Sequence, residues 1–390
     1  MPGSDAEPAP DQPSQNDTII MRVPLIDPVK ALAAQVIVLH HMMFYSSMRG
    51  PLEDAFPLVV GFLADPARYA VQVFLVIGGF LGMQGLLKRL EKGNGHTSSP
   101  MDFAELAQGL INRYKRLVRP YAIAMLVACL MLVWVQGVDP VIELTPANAQ
   151  QVLAHLLLLH SLLDIPALSA GVWYVAIDFQ LFAMSLLILQ AALWLGRGST
   201  AHARRWLLGL LAAATVASLL MFNRDADLDR YGIFFFGSYG LGMLAAWAVA
   251  QRREMDAALL AAGLVGIALT LQYRERLWVT LATVAFLLVA PRVKTLPAWL
   301  DGKAGQFFQQ SSYALFLVHY PLAILLFAVI DRMFLLGTLQ NLAALALCWA
   351  TFMAGAWWLM RSEVWLYDTL PSQIERQTRA MVQQLRTIRV

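Results

Sequence analysis

The sequence predicts an all-α fold, a polytopic membrane helical bundle of about ten transmembrane helices, and three observations lead there. Of 390 residues, 58% are hydrophobic and 14% charged, against roughly 25% charged in an ordinary soluble domain. Mean hydropathy is +0.58, more apolar than one soluble core can hide. The apolar residues also arrive in runs of about 20, the length that crosses a ~30 Å hydrocarbon layer. This composition excludes a soluble globular domain, a disordered chain and a coiled coil. A net charge of +3 gives no argument for nucleic acid. The two cysteines, Cys129 and Cys348, each sit inside an apolar run, so neither a disulfide framework nor a metal site is expected.

Taken in order, residues 1–20 are rich in Pro and Asp and read as a disordered cytoplasmic tail. With no basic n-region, the tail does not resemble a signal peptide. Ten spans follow: 28–48, 68–88, 117–137, 171–195, 205–222, 231–250, 256–272, 277–291, 309–330 and 339–360. The stretch 151–163, carrying His155 and His160, is too short to cross and reads as an interfacial or re-entrant helix. Residues 92–102 form a Gly/Ser loop, and 103–116 an amphipathic surface helix before the third span. The tail 367–390 spaces Ile374, Met381, Leu385 and Ile388 among arginines, as a basic amphipathic helix lying on lipid would. With both termini cytoplasmic, 22 of the 29 Lys and Arg fall on the inner side, as the positive-inside rule asks.

Ionisable groups inside spans cost several kcal/mol, so each asks for a reason. Lys30 and His41 are eleven residues apart on the first helix, within about 20° of eclipse and about 16 Å apart along one face. His40 points elsewhere and reads as a structural hydrogen-bonding group. Arg113, Lys115, Arg116 and Arg119 open the third span. Positive-inside flanking explains most of that run, but Arg116 and Arg119 share a face and would suit a phosphate-rich ligand. Asp178 lies about 10 Å below the start of the fourth span, behind Trp173 and Tyr174. His41 sits at a similar depth, so an imidazole–carboxylate pair is expected, with a structural cation as the alternative partner for Asp178. On the ninth span Ser312 and His319 share a face, with Tyr313 beside Ser312 and Pro321 after the histidine.

Together these residues resemble the acyltransferase family 3 of integral membrane acyltransferases. Its basic-residue, ten-residue, histidine signature is similar to Lys30–His41, and its Phe-Phe-x-x-Ser-Gly-Phe segment to VFLVIGGF, with Gly78 for serine. Its Arg-x-x-Arg matches Arg116 and Arg119. Its Trp-Tyr-x-x-x-Glu matches Trp173, Tyr174 and Asp178, with aspartate for glutamate. Its Ser-Tyr-x-x-Tyr-x-x-His matches Ser312, Tyr313, Phe316 and His319, and its Gly-Met-Leu-x-Ala matches Gly242, Met243, Leu244 and Ala246. The matches run in order over about residues 25–365, within a membrane domain drawn at 21–366.

The resemblance implies transfer of an acetyl or succinyl group from acyl-CoA, used as co-substrate with no bound cofactor, to a hydroxyl of an extracytoplasmic carbohydrate or glycolipid. Cell-surface polysaccharide, periplasmic glucan, exported cellulose and lipid-linked sugar are the acceptor classes. His41, Asp178 and His319 are the expected catalytic residues. Lys30, Arg113, Arg116 and Arg119 are expected to bind the donor, and Trp173, Tyr174, Ser312 and Tyr313 to position acceptor or oxyanion. Expected partners are membrane lipids and a glycan-synthesis or export protein, in a bacterial inner membrane. A proton-coupled transporter or flippase of a glycan or lipid intermediate is the rival reading, since intramembrane His and Asp also make proton relays.

Overall fold

The computed structural model describes residues 23–90, 99–138, 147–333, 336–373 and 375. The tail 1–20, residues 92–98 of the Gly/Ser loop, and the basic tail from 376 onward lie outside the described residues. Among those described there is no strand; the chain is helix throughout. In order these are α1 (Ile26–Tyr45), α2 (Arg49–Ala55), α3 (Pro57–Ala64), α4 (Val71–Leu90), α5 (Phe103–Val138), α6 (Ala149–Leu156) and α7 (Val172–Leu195). There follow α8 (Thr200–Leu220), α9 (Gly232–Ala250), α10 (Glu254–Leu271), α11 (Arg276–Val289), α12 (Ala298–Asp301), α13 (Lys303–Arg332) and α14 (Thr338–Val364).

All ten expected spans fall on helices, and among the described residues eight helices are long and apolar enough to cross a membrane, nine if one bent pair counts as a span. That pair is α1 with α2, which meet at 108°. The shortfall has two causes. Asp27, Lys30, Gln35, His40 and His41 dilute the apolar character of α1. α11 has 14 residues, about 21 Å at 1.5 Å per residue, short of the ~30 Å hydrocarbon.

The expected surface helix 103–116 is not a separate element. It is the first part of α5, a continuous helix of 36 residues with Pro120 inside it, about 54 Å long. The expected re-entrant stretch 151–163 is α6 followed by a loop. Asn148 caps α6 by accepting the amide of Gln151 at 2.8 Å.

Two apolar clusters build the core. One gathers α4 and α7 to α11; the other gathers α1 to α3, α5, α13 and α14. Tyr174 packs against both, so α7 marks the seam between them. Within the first cluster α4 and α9 meet backbone to backbone. A Cβ on Gly79 would overlap the carbonyl oxygen of Tyr239, and one on Gly242 would overlap that of Val76. Small residues at both points permit the approach, which membrane helices use in place of a hydrophobic driving force. Gly242 belongs to the Gly-Met-Leu-x-Ala segment, and this packing gives that segment a structural reason.

Alanine in a helix ordinarily stabilises by about 1 kcal/mol over glycine. At Gly79 and Gly242 the sign reverses, because the new methyl meets backbone and overpacking costs roughly 1–3 kcal/mol. Gly79→Ala and Gly242→Ala should therefore lower the melting temperature in detergent. Gly263→Ala in α10, where nothing lies within 4 Å, should leave it unchanged or raised.

Candidate active site

His41 on α1 and His319 on α13 are joined, Nδ1 of the first to Nε2 of the second at 2.7 Å. Their rings stack 5.0 Å apart with an 11° interplanar angle. The other nitrogen of His319, Nδ1, is 2.9 Å from the carbonyl oxygen of Leu315. A carbonyl only accepts, so Nδ1 of His319 carries its proton and Nε2 its lone pair. His41 must then donate from Nδ1, which leaves the lone pair of its Nε2 uncommitted among the described residues. His319 is fully buried and His41 half-buried. Tyr45 and Tyr320 stand beside the His41 ring, at 5.6 and 6.0 Å between centroids. His40 turns away, its Nδ1 2.8 Å from the carbonyl oxygen of Leu63, and ties α1 to α3.

The expected partner of His41, Asp178, is elsewhere. Its carboxylate receives Arg113 in a fork, Nη2 to Oδ1 at 2.6 Å and Nε to Oδ2 at 3.1 Å. Reading α5 as two elements had assigned Arg113 to the flanking cations. The continuous helix carries it into the bundle opposite α7, where a buried carboxylate requires a cation.

A cavity of about 380 Å³ opens beside this pair. Its walls include Lys30, Arg113, Arg116, Tyr174, Asp178, Ser312 and Tyr313. Lys30 also pairs with Asp27 at 3.1 Å. Arg116 has no carboxylate partner among the described residues. Ser312 and Tyr313 already donate, to the carbonyls of Gln309 and Leu117 at 3.0 and 3.1 Å.

Two expected members lie apart. Arg119 faces the end of α14, 3.7 Å from Asp368 and over the ring of Tyr367, and is absent from the cavity wall. Six residues beyond Arg113, it has turned through about 600°, some 120° away from the side of α5 that faces the cavity, with Arg116 halfway between. Trp173 stacks on Phe235 instead of lining the cavity. Sequence reasoning missed Phe74, Gly82 and Tyr239 in the wall. Phe74 lies one turn before Gly78 inside VFLVIGGF and could have been found; Tyr239 sits in an unbroken apolar run with no signal of its own. Among the described residues no cluster could hold a metal ion.

The acyltransferase domain family matches residues 24–361, and the chain belongs to this family, acyltransferase 3. It is accordingly a multi-pass integral membrane O-acyltransferase. No curated protein and no solved structure matches it.

A second histidine pair lies outside the spans, His155 in the last turn of α6 and His160 in the loop after it. His155 donates from Nδ1 to the Gln151 carbonyl at 2.7 Å and accepts the Leu168 amide on Nε2 at 3.1 Å, which fixes it neutral. His160 stacks on it at 4.1 Å, buried, with neither ring nitrogen hydrogen-bonded. Burial, then the neighbouring His155, push His160 down from 6.5 to about 4. Between those values the unfolded chain holds a proton that the folded chain refuses, so stability falls as pH drops through 6.5 toward 4 and is level above. His160→Phe should flatten that fall, measured as melting temperature against pH in detergent.

Proposed function

We propose that the protein transfers an acetyl or succinyl group from acyl-CoA to a hydroxyl of an extracytoplasmic carbohydrate or glycolipid. The observation that carries this reading is the uncommitted Nε2 lone pair of His41, held in place through His319 and the Leu315 carbonyl.

The donor binds from the cytoplasmic side of a bacterial inner membrane, with Lys30 and Arg116 at its phosphates. Arg forks and Lys point charges suit phosphate oxygens. Asp178 is a positioning residue: by pairing with Arg113 it neutralises one cation and fixes the wall of the donor cavity. Its carboxylate bonds to Arg113 and to neither imidazole, which argues for that role over proton transfer. The pantetheine arm points its thioester toward His41, and the acceptor arrives from the other side, past Tyr45 and Tyr320.

His41 then acts as general base. As the acceptor oxygen bonds to the thioester carbonyl carbon, its proton passes to Nε2 of His41. The tetrahedral adduct collapses with loss of the carbon–sulfur bond, and the same proton moves to the departing sulfur as free thiol. His319 stabilises the intervening imidazolium by accepting a hydrogen bond from its Nδ1–H, the part a carboxylate plays in many triads. Ser312 and Tyr313, already donating to carbonyls, support the wall of the cavity more than they do the oxyanion. Acceptors consistent with the family are surface polysaccharide, periplasmic glucan, exported cellulose and lipid-linked sugar, with O-acetylation or O-succinylation as the modification.

The test is a titration of acetyl- and succinyl-CoA by calorimetry, with thiol release measured in parallel. Arg116→Ala should weaken donor binding about tenfold, since a charge-assisted contact is worth roughly 1.5 kcal/mol or more. Arg119→Ala should stay within twofold of wild type. His41→Ala should bind donor normally and lose about 10²–10⁴-fold in thiol release. No donor binding by folded wild type would defeat the reading.

A further inference from the structure

Neither His41 nor His319 belongs to the wall of the donor cavity. Three rings of that wall, from three helices, lie together: Phe74 of α4, Tyr174 of α7 and Phe316 of α13. They touch as a closed triangle, with centroids 5.9 Å apart for Phe74 and Tyr174, 6.1 Å for Phe74 and Phe316, and 5.6 Å for Tyr174 and Phe316. All three face the cavity on one side. On the other side Phe316 lies 6.3 Å from the His319 ring, centroid to centroid, and His319 is the ring bonded to His41.

Phe316 cannot easily back away. It rests on Gly171, where a Cβ would come within 3.1 Å of its Cζ, and it is 6% exposed. Phe316 and His319 are three residues apart, one turn of the same helix, so the barrier and the ring that holds His41 are separated by about 4.5 Å of axial rise. The barrier is dry and apolar on its faces, and water or phosphate crosses such a ring poorly. A short acyl chain on a thin arm crosses it at least cost, because it needs only a small displacement of one ring.

We propose that Phe74, Tyr174 and Phe316 form an aromatic partition between the donor cavity and His41, and that Phe316 sets the size of acyl group that reaches the base. The proposal rests on the acyl-transfer reading above. It explains how a site fed from two sides would keep water off the thioester: the partition stays closed until the acyl end displaces a ring.

The test uses donors that mark arrival at His41 without needing an acceptor. Chloroacetyl-CoA and 6-bromohexanoyl-CoA alkylate an imidazole nitrogen, with a carbon–nitrogen bond formed, the halide displaced and the proton lost to solvent. Labelling of the His41 peptide is followed by mass spectrometry on the full-length protein in detergent, with donor affinity measured alongside. Wild type should be labelled by chloroacetyl-CoA and at least tenfold more slowly by the bromohexanoyl reagent. Phe316→Ala should raise bromohexanoyl labelling at least tenfold. Phe316→Trp should lower chloroacetyl labelling by a similar factor, with donor affinity kept within about threefold. Phe74→Ala gives a second opening of the same partition should a tryptophan variant not fold. Equal rates in wild type, Phe316→Ala and Phe74→Ala with both reagents would overturn the partition while leaving acyl transfer intact. Failure of wild type to bind either reagent or to be labelled at His41 would instead overturn the acyl-transfer reading.

Discussion

The ion pair between Arg113 and Asp178 is the interaction on which the rest of the site is hung. Two opposite charges in the interior of a membrane bundle tolerate little freedom. Removing one partner of a buried pair costs roughly 3–5 kcal/mol, because the other is left without compensation. The fork of two nitrogens on two oxygens therefore pins α5 to α7 at one point. From that point the cavity wall follows: Tyr174 lies one turn from Asp178 on α7, Arg116 one turn from Arg113 on α5, and Tyr313 reaches across from α13 to the Leu117 carbonyl. The pair sits where the two apolar clusters adjoin, and Tyr174, one turn away, belongs to both.

A different kind of constraint governs the histidines. Each imidazole offers one donor and one acceptor, and in an apolar interior both must be used or the group is costly. His319 uses both, on the Leu315 carbonyl and on His41. His41 uses one, on His319, and its Nε2 has no bonding partner among the described residues. The same bookkeeping separates His40, whose bond to the Leu63 carbonyl makes it a fastener between α1 and α3. Neighbouring histidines on one helix thus have separate duties because they face different helices.

Much of this was legible in the sequence, and the misses have physical reasons. The order of helices follows from apolar run length, and the alignment of Lys30 with His41 follows from helical pitch. Both quantities are local. Pairing between helices is not local: His41, Asp178 and His319 were each identifiable as expensive intramembrane groups, but depth along a span cannot choose which two will meet. Asp178 was given to His41 on depth alone, whereas Arg113 had been assigned to the membrane surface. About ten spans are expected and each falls on a helix; α1 alone is less apolar than a crossing helix because Asp27, Lys30, Gln35, His40 and His41 lower its hydropathy. The contact at Gly79 and Gly242 is legible only as a small-residue pattern, because what it accommodates is a backbone contributed by another helix.

The bond between His41 and His319 joins residues 278 positions apart. As the chain is made and inserted, α1 enters the membrane long before α13 exists. Throughout that interval His41 has no partner to fix its tautomer, and Gln35 likewise waits for Trp349 of α14, 314 positions later. The organised imidazole pair is therefore a property of the chain with α13 in place: a nascent or truncated polypeptide lacking α13 could line part of the cavity, yet would hold His41 without the ring that fixes its proton. Biosynthesis itself serves as the safety catch.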